Sequence, residues 1–247
     1  MKIWEKLYAY YAGLIFGIIF LILFPFFFII IQKKSWHRFA YHLNKFWTKA
    51  FFTIIMKPVE VDIHPAIDQT KNYIFCANHF SYLDIPVMGF TPNNFVFVGK
   101  SSIKKAPVFG YMFDKLHISV NRQSKVDSYD TYRRSSDVVK NGRSLVMFPE
   151  GGILTKNPPE MVRFKDGAFR IAIEQQISII PVTIPHNWIV LPDKKELSLK
   201  RGKLKIVFHE PIDAKGMQPE DLQALKCSTF QIIDEQLKKY THTNAGR

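Results

Sequence analysis

From Leu7 to Ile31 the chain carries no charged residue, and beyond that run apolar positions recur first at helical and then at strand spacing. As a helix, the run reaches about 37 Å, enough to cross a hydrocarbon core of about 30 Å. Lys2 and Lys6 flank it on one side, and Lys33, Lys34 and Arg38 on the other. Positive charge at both ends sets no orientation, and Pro25 interrupts the run. A signal peptide would have a shorter apolar region, about 7–15 residues, ending in a small-residue cleavage site. Here Gln32-Lys33-Lys34-Ser35-Trp36 follows, so the segment is expected to be retained. Residues 36–56 form a second candidate helix. Trp36, Phe39, Ala40, Leu43, Phe46, Trp47, Ala50 and Phe51 make its apolar stripe, with His37, Arg38, Asn44, Lys45 and Lys49 largely off it. Such a stripe suits a headgroup region or the core of a following domain. Met56-Lys57-Pro58 reads as the boundary, which makes residues 1–57 an N-terminal membrane anchor.

After Pro58 the period shortens. Strands are predicted at Val59–Ile63, Tyr73–Ala77, Asn94–Val98, His117–Val120, Ser144–Phe148, Ile179–Ile184 and Lys203–His209. Helical patterns lie between or after them, at Tyr82–Gly89, Lys125–Asn141, Lys165–Gln175 and Pro219–Tyr240. The last carries Leu222, Leu225, Phe230, Ile233 and Leu237 at near-helical intervals, as a closing helix against the core would. The expected fold is α/β: a mixed, largely parallel sheet flanked by helices over residues 58–247, joined to an N-terminal membrane-inserted helical segment.

Composition narrows the classes. Of 247 residues, 47% are apolar and 15% aromatic, which excludes a disordered chain. Cys76 and Cys227 form no CxxC pair, so neither a disulfide scaffold nor a structural zinc site is expected. Thirty-four Lys and Arg against 21 acids leave a formal charge of +13, which calls for an anionic partner. The cations cluster at 1–50, 100–125 and 194–205. Basic residues beside a long apolar run favour anionic lipid over nucleic acid, for which no binding motif is present.

Two strand-end motifs carry the chemistry. Asn78-His79-Phe80-Ser81-Tyr82-Leu83-Asp84 follows the second predicted strand. If the chain turns into a helix there, Asp84 folds back onto the His79 imidazole. A carboxylate on one ring nitrogen sets the tautomer and leaves the other to accept a proton from a hydroxyl. No nucleophile-elbow serine or cysteine accompanies the pair, so direct attack by a substrate hydroxyl is the economical reaction. In isolation the same spacing is more commonly a pair of caps. The second motif is Leu145-Val146-Met147-Phe148-Pro149-Glu150-Gly151-Gly152. Pro149 ends the strand, the glycines let backbone approach a ligand, and Glu150 could accept hydrogen bonds from a polyol. Alone it is also an ordinary turn.

In this order the two motifs resemble the glycerolipid acyltransferase family, whose pattern reads NHxxxxD, a basic motif, FPEG, then an apolar stretch ending in Pro-Val. The chain supplies Asn78-His79…Asp84, Lys100 and Arg122, Phe148-Pro149-Glu150-Gly151, and Ile180-Pro181-Val182. Arg163-Phe164-Lys165-Asp166-Gly167-Ala168 matches the family's FKxGA segment. The resemblance implies that His79 deprotonates the acceptor hydroxyl, with Asp84 orienting it. The hydroxyl then attacks the thioester of an acyl-CoA or acyl carrier protein. Glu150 and Gly151 would hold the acceptor's glycerol, and Lys100, Lys104, Lys105, Arg122 and Lys165 are the candidates for its phosphate. The implied acceptor is 1-acyl-sn-glycerol-3-phosphate, giving phosphatidic acid. No metal or cofactor is implied beyond the acyl thioester co-substrate. The implied partners are membrane lipids and the acyl carrier, not nucleic acid, with the catalytic domain on the cytoplasmic face of the inner or cell membrane.

The chain departs from the pattern after FPEG. The family commonly continues Thr-Arg-Ser, whereas here Gly152-Ile153-Leu154 follows. Losing one charge-assisted bond to phosphate costs about 1.5–3 kcal/mol unless a neighbour replaces it. Lys156, Arg163 and Lys165 are the nearby cations. The departure keeps a different lysolipid open as the acceptor, such as a lyso-amino-acid lipid or a lysophospholipid. CoA-independent transacylation and non-catalytic lipid or nucleic-acid binding by the basic chain are the remaining readings.

Overall fold

The computed structural model describes residues 3–121, 125–194 and 196–244. Seven strands form one sheet: β1 (Val59–Ile63), β2 (Ile74–Ala77), β3 (Phe95–Lys100), β4 (Ile118–Val120), β5 (Ser144–Met147), β6 (Ile179–Thr183) and β7 (Leu204–Phe208). Their order is β1-β7-β6-β2-β5-β3-β4. Every neighbouring pair is parallel except β6 and β7. The mixed, largely parallel α/β architecture is therefore the one the periodicity predicts.

The helices are α1 (Ile3–Ile31), α2 (Ala40–Ile54), α3 (Asp84–Val87), α4 (Phe109–Leu116), α5 (Lys125–Lys140), α6 (Gly167–Gln175), α7 (Asn187–Val190) and α8 (Leu222–Asn244). Period two along the central strand decides which residue meets which layer. Phe75 and Ala77 of β2 point to the layer holding α1, α2 and α4, while Ile74 and Cys76 point to the layer of α5, α6 and α8. Leu225, Ile233 and Leu237 close the second layer as buried residues of α8, with Leu222 and Phe230 packed beside them.

Three local features differ from the sequence reading. Helix α1 runs unbroken through Pro25 and starts earlier, at Ile3. Its first turns are held from outside: Lys6 pairs with Glu196 at 2.9 Å, and Leu199 N–H donates to the Glu5 carbonyl at 3.0 Å. The amphipathic segment divides into a 3₁₀ turn, Lys34–Phe39, and α2. The basic stretch after β3 conceals α4, whose Phe109, Met112, Phe113 and Leu116 make an i, i+3, i+4, i+7 stripe facing the core.

Helix α1 is integral to the first layer. Ala12, Phe20, Leu23 and Phe27 are buried in the same core as Phe51, Phe75 and Phe208. The Trp47 indole donates to the Phe16 carbonyl at 3.2 Å, and the ring of Phe20 meets that of Phe109 at 5.4 Å. Its other side is bare: Leu14, Ile18, Leu21, Ile22, Phe26 and Ile29 are exposed. Among the described residues, it is the one helix long and apolar enough to cross a membrane.

Candidate active site

The site follows from the sheet order. Strands β2 and β5 are parallel neighbours, with Cys76 opposite Met147, so both chains leave the sheet at the same end. From β2 the chain moves past β5 to β3, and from β5 it moves back past β2 to β6. Connections that part in opposite directions open a crevice at the strands' carboxyl ends. His79 stands two residues beyond β2, and Glu150 three beyond β5.

Asp84 is the first residue of α3, and its carboxylate turns back over the loop. Oδ2 accepts three hydrogen bonds: from the Phe80 and Ser81 N–H groups at 2.7 and 2.8 Å, and from the His79 ring through Nδ1 at 3.0 Å. Oδ1 is buried without a hydrogen-bond partner among the described residues. The two backbone donors hold the acceptor oxygen in place, and the oxygen orients the imidazole. The pair expected from the HxxxxD spacing is thus brought into contact, with His79 8% and Asp84 1% exposed. An Nδ1 that donates to Asp84 leaves Nε2 with its lone pair.

The surrounding elements hold the ring. Phe148 stacks on the His79 imidazole, with centroids 4.1 Å apart and planes 21° from parallel. Asn78, fully buried, donates to the Ile184 carbonyl at 3.0 Å and accepts from its N–H at 2.7 Å, which ties the ends of β2 and β6 together. Ser81 Oγ donates to the Leu191 carbonyl at 2.8 Å. These supports were not legible as functional residues. The letters of the motifs point to Asn78 and Phe148, but the partner each finds lies far along the chain.

Glu150 is wholly buried. Oε1 accepts the His79 N–H at 2.8 Å, and Oε2 accepts the Val162 N–H at 3.0 Å. Burial pushes its carboxyl up to about 7, against the opposing pull of those two N–H groups and of His79. Gly151 follows at φ +94°, in the left-handed region that favours glycine, and its N–H closes the turn onto the Phe148 carbonyl at 2.9 Å. Lys165 joins this turn through its backbone, donating to the Pro149 carbonyl at 2.8 Å. Its side chain lines a cavity of about 300 Å³ between Phe148, Gly151, Ser135 and Ile171.

The remaining candidate cations are spread out. Lys100 is exposed at the end of β3, one strand beyond β5. Lys104 and Lys105 lie on the 3₁₀ turn Ser101–Lys105, where Lys104 pairs with Asp114 at 2.6 Å. Arg122 lies outside the described residues. Among the described residues, no group of three or more His, Cys, Asp or Glu is placed to hold a metal ion.

The Acyltransferase family profile matches residues 58–185, which span β1 to β6 and both motifs. This chain belongs to the acyltransferase family. Among its relatives in that family, a 1-acyl-sn-glycerol-3-phosphate acyltransferase of Chlamydomonas reinhardtii is 27% identical over 187 residues, 74% of this chain and 55% of that protein. A lyso-ornithine lipid O-acyltransferase of Pseudomonas aeruginosa is 26% identical over 177 residues, 64% of this chain and 67% of that one. The chain spans about half the length of several curated relatives it matches. The acyltransferase fold extends over nearly the whole chain. The crystal structure of the 1-acyl-sn-glycerophosphate (LPA) acyltransferase from Thermotoga maritima superposes with a TM-score of 0.77, covering 96% of this chain and 98% of that one at 22% identity.

Proposed function

We propose that this chain transfers a fatty acyl group from an acyl thioester, acyl-CoA or acyl carrier protein, to the free hydroxyl of a membrane lysolipid. The acceptor in this reading is 1-acyl-sn-glycerol-3-phosphate, and the product phosphatidic acid. The observation that carries it is the His79–Asp84 contact of 3.0 Å at a crevice of the sheet, beside the Phe148–Gly151 turn. His79 Nε2 takes the proton of the acceptor hydroxyl as its oxygen attacks the thioester carbonyl. Asp84 stabilises the imidazolium that forms. Collapse of the tetrahedral intermediate breaks the carbon–sulfur bond, and the proton on Nε2 leaves with the thiolate. The N–H groups of residues 79, 80 and 81 already serve Glu150 and Asp84. The oxyanion must therefore be met by other donors.

Two surfaces support lipid chemistry. An apolar groove of about 230 Å³ lies between α1 and the catalytic loop, lined by Ala12, Phe16, Tyr82, Leu83, Leu197 and Leu199. We assign it to an acyl chain. The bare side of α1, together with exposed Trp36, Phe39 and Phe46, supports insertion beside the domain into one leaflet; the cytoplasmic leaflet is our assignment, carried by the family resemblance alone. A second acceptor class is favoured by a specific departure. Gly152-Ile153-Leu154 follows the FPEG turn, and one relative is named for lyso-ornithine lipid. Purified protein given one labelled acyl thioester and a panel of lysolipids separates the two. Product from lysophosphatidic acid at the highest kcat/KM supports the first reading, and preference for a zwitterionic lysolipid supports the second. His79→Ala should lower kcat by about 10³-fold or more with either acceptor. Undiminished turnover would overturn the mechanism.

A further inference from the structure

The carboxylate of Glu150 is positioned to brace the catalytic loop, and its geometry argues against contact with a substrate. The residue is wholly buried, and each oxygen accepts a backbone N–H: Oε1 that of His79 at 2.8 Å and Oε2 that of Val162 at 3.0 Å. Each oxygen keeps a further lone pair, but with the residue wholly buried a glycerol hydroxyl would have to part the catalytic loop from the Val162 segment to reach it. The brace also completes a local pattern. Consecutive N–H groups at 79, 80 and 81 each end on a carboxylate, the first on Glu150 and the next two on Asp84. One carboxylate fixes the backbone from which the imidazole projects, and the other fixes the ring. The segment holding Val162 lies between the Phe148–Gly151 turn and α6, so the same residue ties a third piece of chain to the site.

We infer that Glu150 is a positioning residue that acts through His79, holding the catalytic loop against the segment at Val162 and making no contact with the acceptor. The inference rests on the acyl-transfer reading for its kinetic consequence, but the brace itself is independent of that reading. His79 and Asp84 are the ionisable neighbours of Glu150, and desolvation raises its carboxyl although two N–H groups oppose it.

The test compares Glu150→Gln and Glu150→Ala with the wild-type chain in detergent. Glutamine keeps one acceptor oxygen for one of the two N–H groups, and alanine keeps none. Displacements of under an ångström to about one ångström at a reacting group cost up to about a hundredfold. kcat should therefore fall about tenfold in Glu150→Gln and about a hundredfold in Glu150→Ala, with the KM for lysophosphatidic acid within about twofold of wild type in both. A tenfold or larger rise in that KM with kcat retained would overturn the brace in favour of direct acceptor contact. A second readout needs no turnover. In ¹⁵N-labelled protein, the His79 and Val162 amide protons should both resonate downfield in wild type, and at least one should move upfield in Glu150→Gln. Wild-type amides without that downfield position would overturn the inference even if a variant fails to fold. If no lysolipid is acylated by wild type, the functional reading fails, while the amide signature still decides the brace.

Discussion

Asp84→Asn separates the charge of the dyad from its geometry. The corresponding change in Ser–His–Asp hydrolases costs about 10⁴-fold, because the imidazole adopts the wrong tautomer. Here the outcome should differ. The Phe80 and Ser81 N–H groups both aim at Oδ2, at 2.7 and 2.8 Å. An asparagine turned with its NH₂ toward them would set donors against donors and leave buried N–H groups unpaired, at about 1–3 kcal/mol each. The amide oxygen therefore stays where Oδ2 was. His79 Nδ1 keeps an acceptor, and Nε2 keeps its lone pair. The negative charge is lost, and the NH₂ takes the place of Oδ1, which has no hydrogen-bond partner among the described residues, a cost that the Tm reads. An imidazolium about 5 Å from a carboxylate centre in surroundings of effective dielectric about 20 gains about 3 kcal/mol. That energy is realised only when the proton is transferred, so kcat should fall about a hundredfold. Thiol release from acyl-CoA, measured at saturating lysolipid alongside the Tm, gives the number. A loss of 10⁴-fold or more at unchanged Tm would show that the backbone donors do not govern the tautomer. A loss below threefold would show that the charge plays no part.

Two further outcomes follow from burial. Because the folded protein raises the Glu150 carboxyl from 4.5 to about 7, its contribution to stability is complete below pH 4.5 and is lost as pH climbs toward 7. Relative to Glu150→Gln, wild type should lose about 3 kcal/mol of unfolding free energy between those limits. Urea melts across that range in one detergent check this, and a gap that stays constant would refute the assignment. In vesicles containing brominated lipid, Trp4 and Trp36, which are 73% and 40% exposed, should be quenched. Single-tryptophan variants retaining Trp47, 6% exposed and held against Phe16, should not be. Quenching of Trp47 would mean that the bilayer meets a different side of α1.

Much of the sheet was legible because its strands obey one rule. A short run of β-branched and aromatic residues ending in a turn marks each of the seven, and β1 even keeps its predicted limits at Val59 and Ile63. The dyad was legible for a similar reason: five residues of sequence bring Asp84 over His79, and the geometry is nearly local. What the pattern hides is non-local. Nothing near Asn78 in sequence announces Ile184, and nothing near Glu150 announces the Val162 N–H, because both contacts exist only after β6 and the loop before α6 have docked. The α4 stripe was readable but overshadowed by the lysines preceding it. Pro25 is the opposite case. A helix-breaker by local rule, it lies inside an intact helix, where packing of Phe27 and its neighbours outweighs one missing hydrogen bond.

The way α1 is built into the domain changes how the protein would be made water-soluble. Truncation at residue 58 would strip Phe51, Phe52 and Ile55 from the interior and bare Phe75 and Phe208 to solvent, so the shortened chain should precipitate. A soluble variant must instead keep the helix and recolour its outward stripe, replacing Leu14, Ile18, Leu21, Ile22 and Phe26 with charged residues while leaving Phe16, Phe20 and Phe27 as the wall they already form.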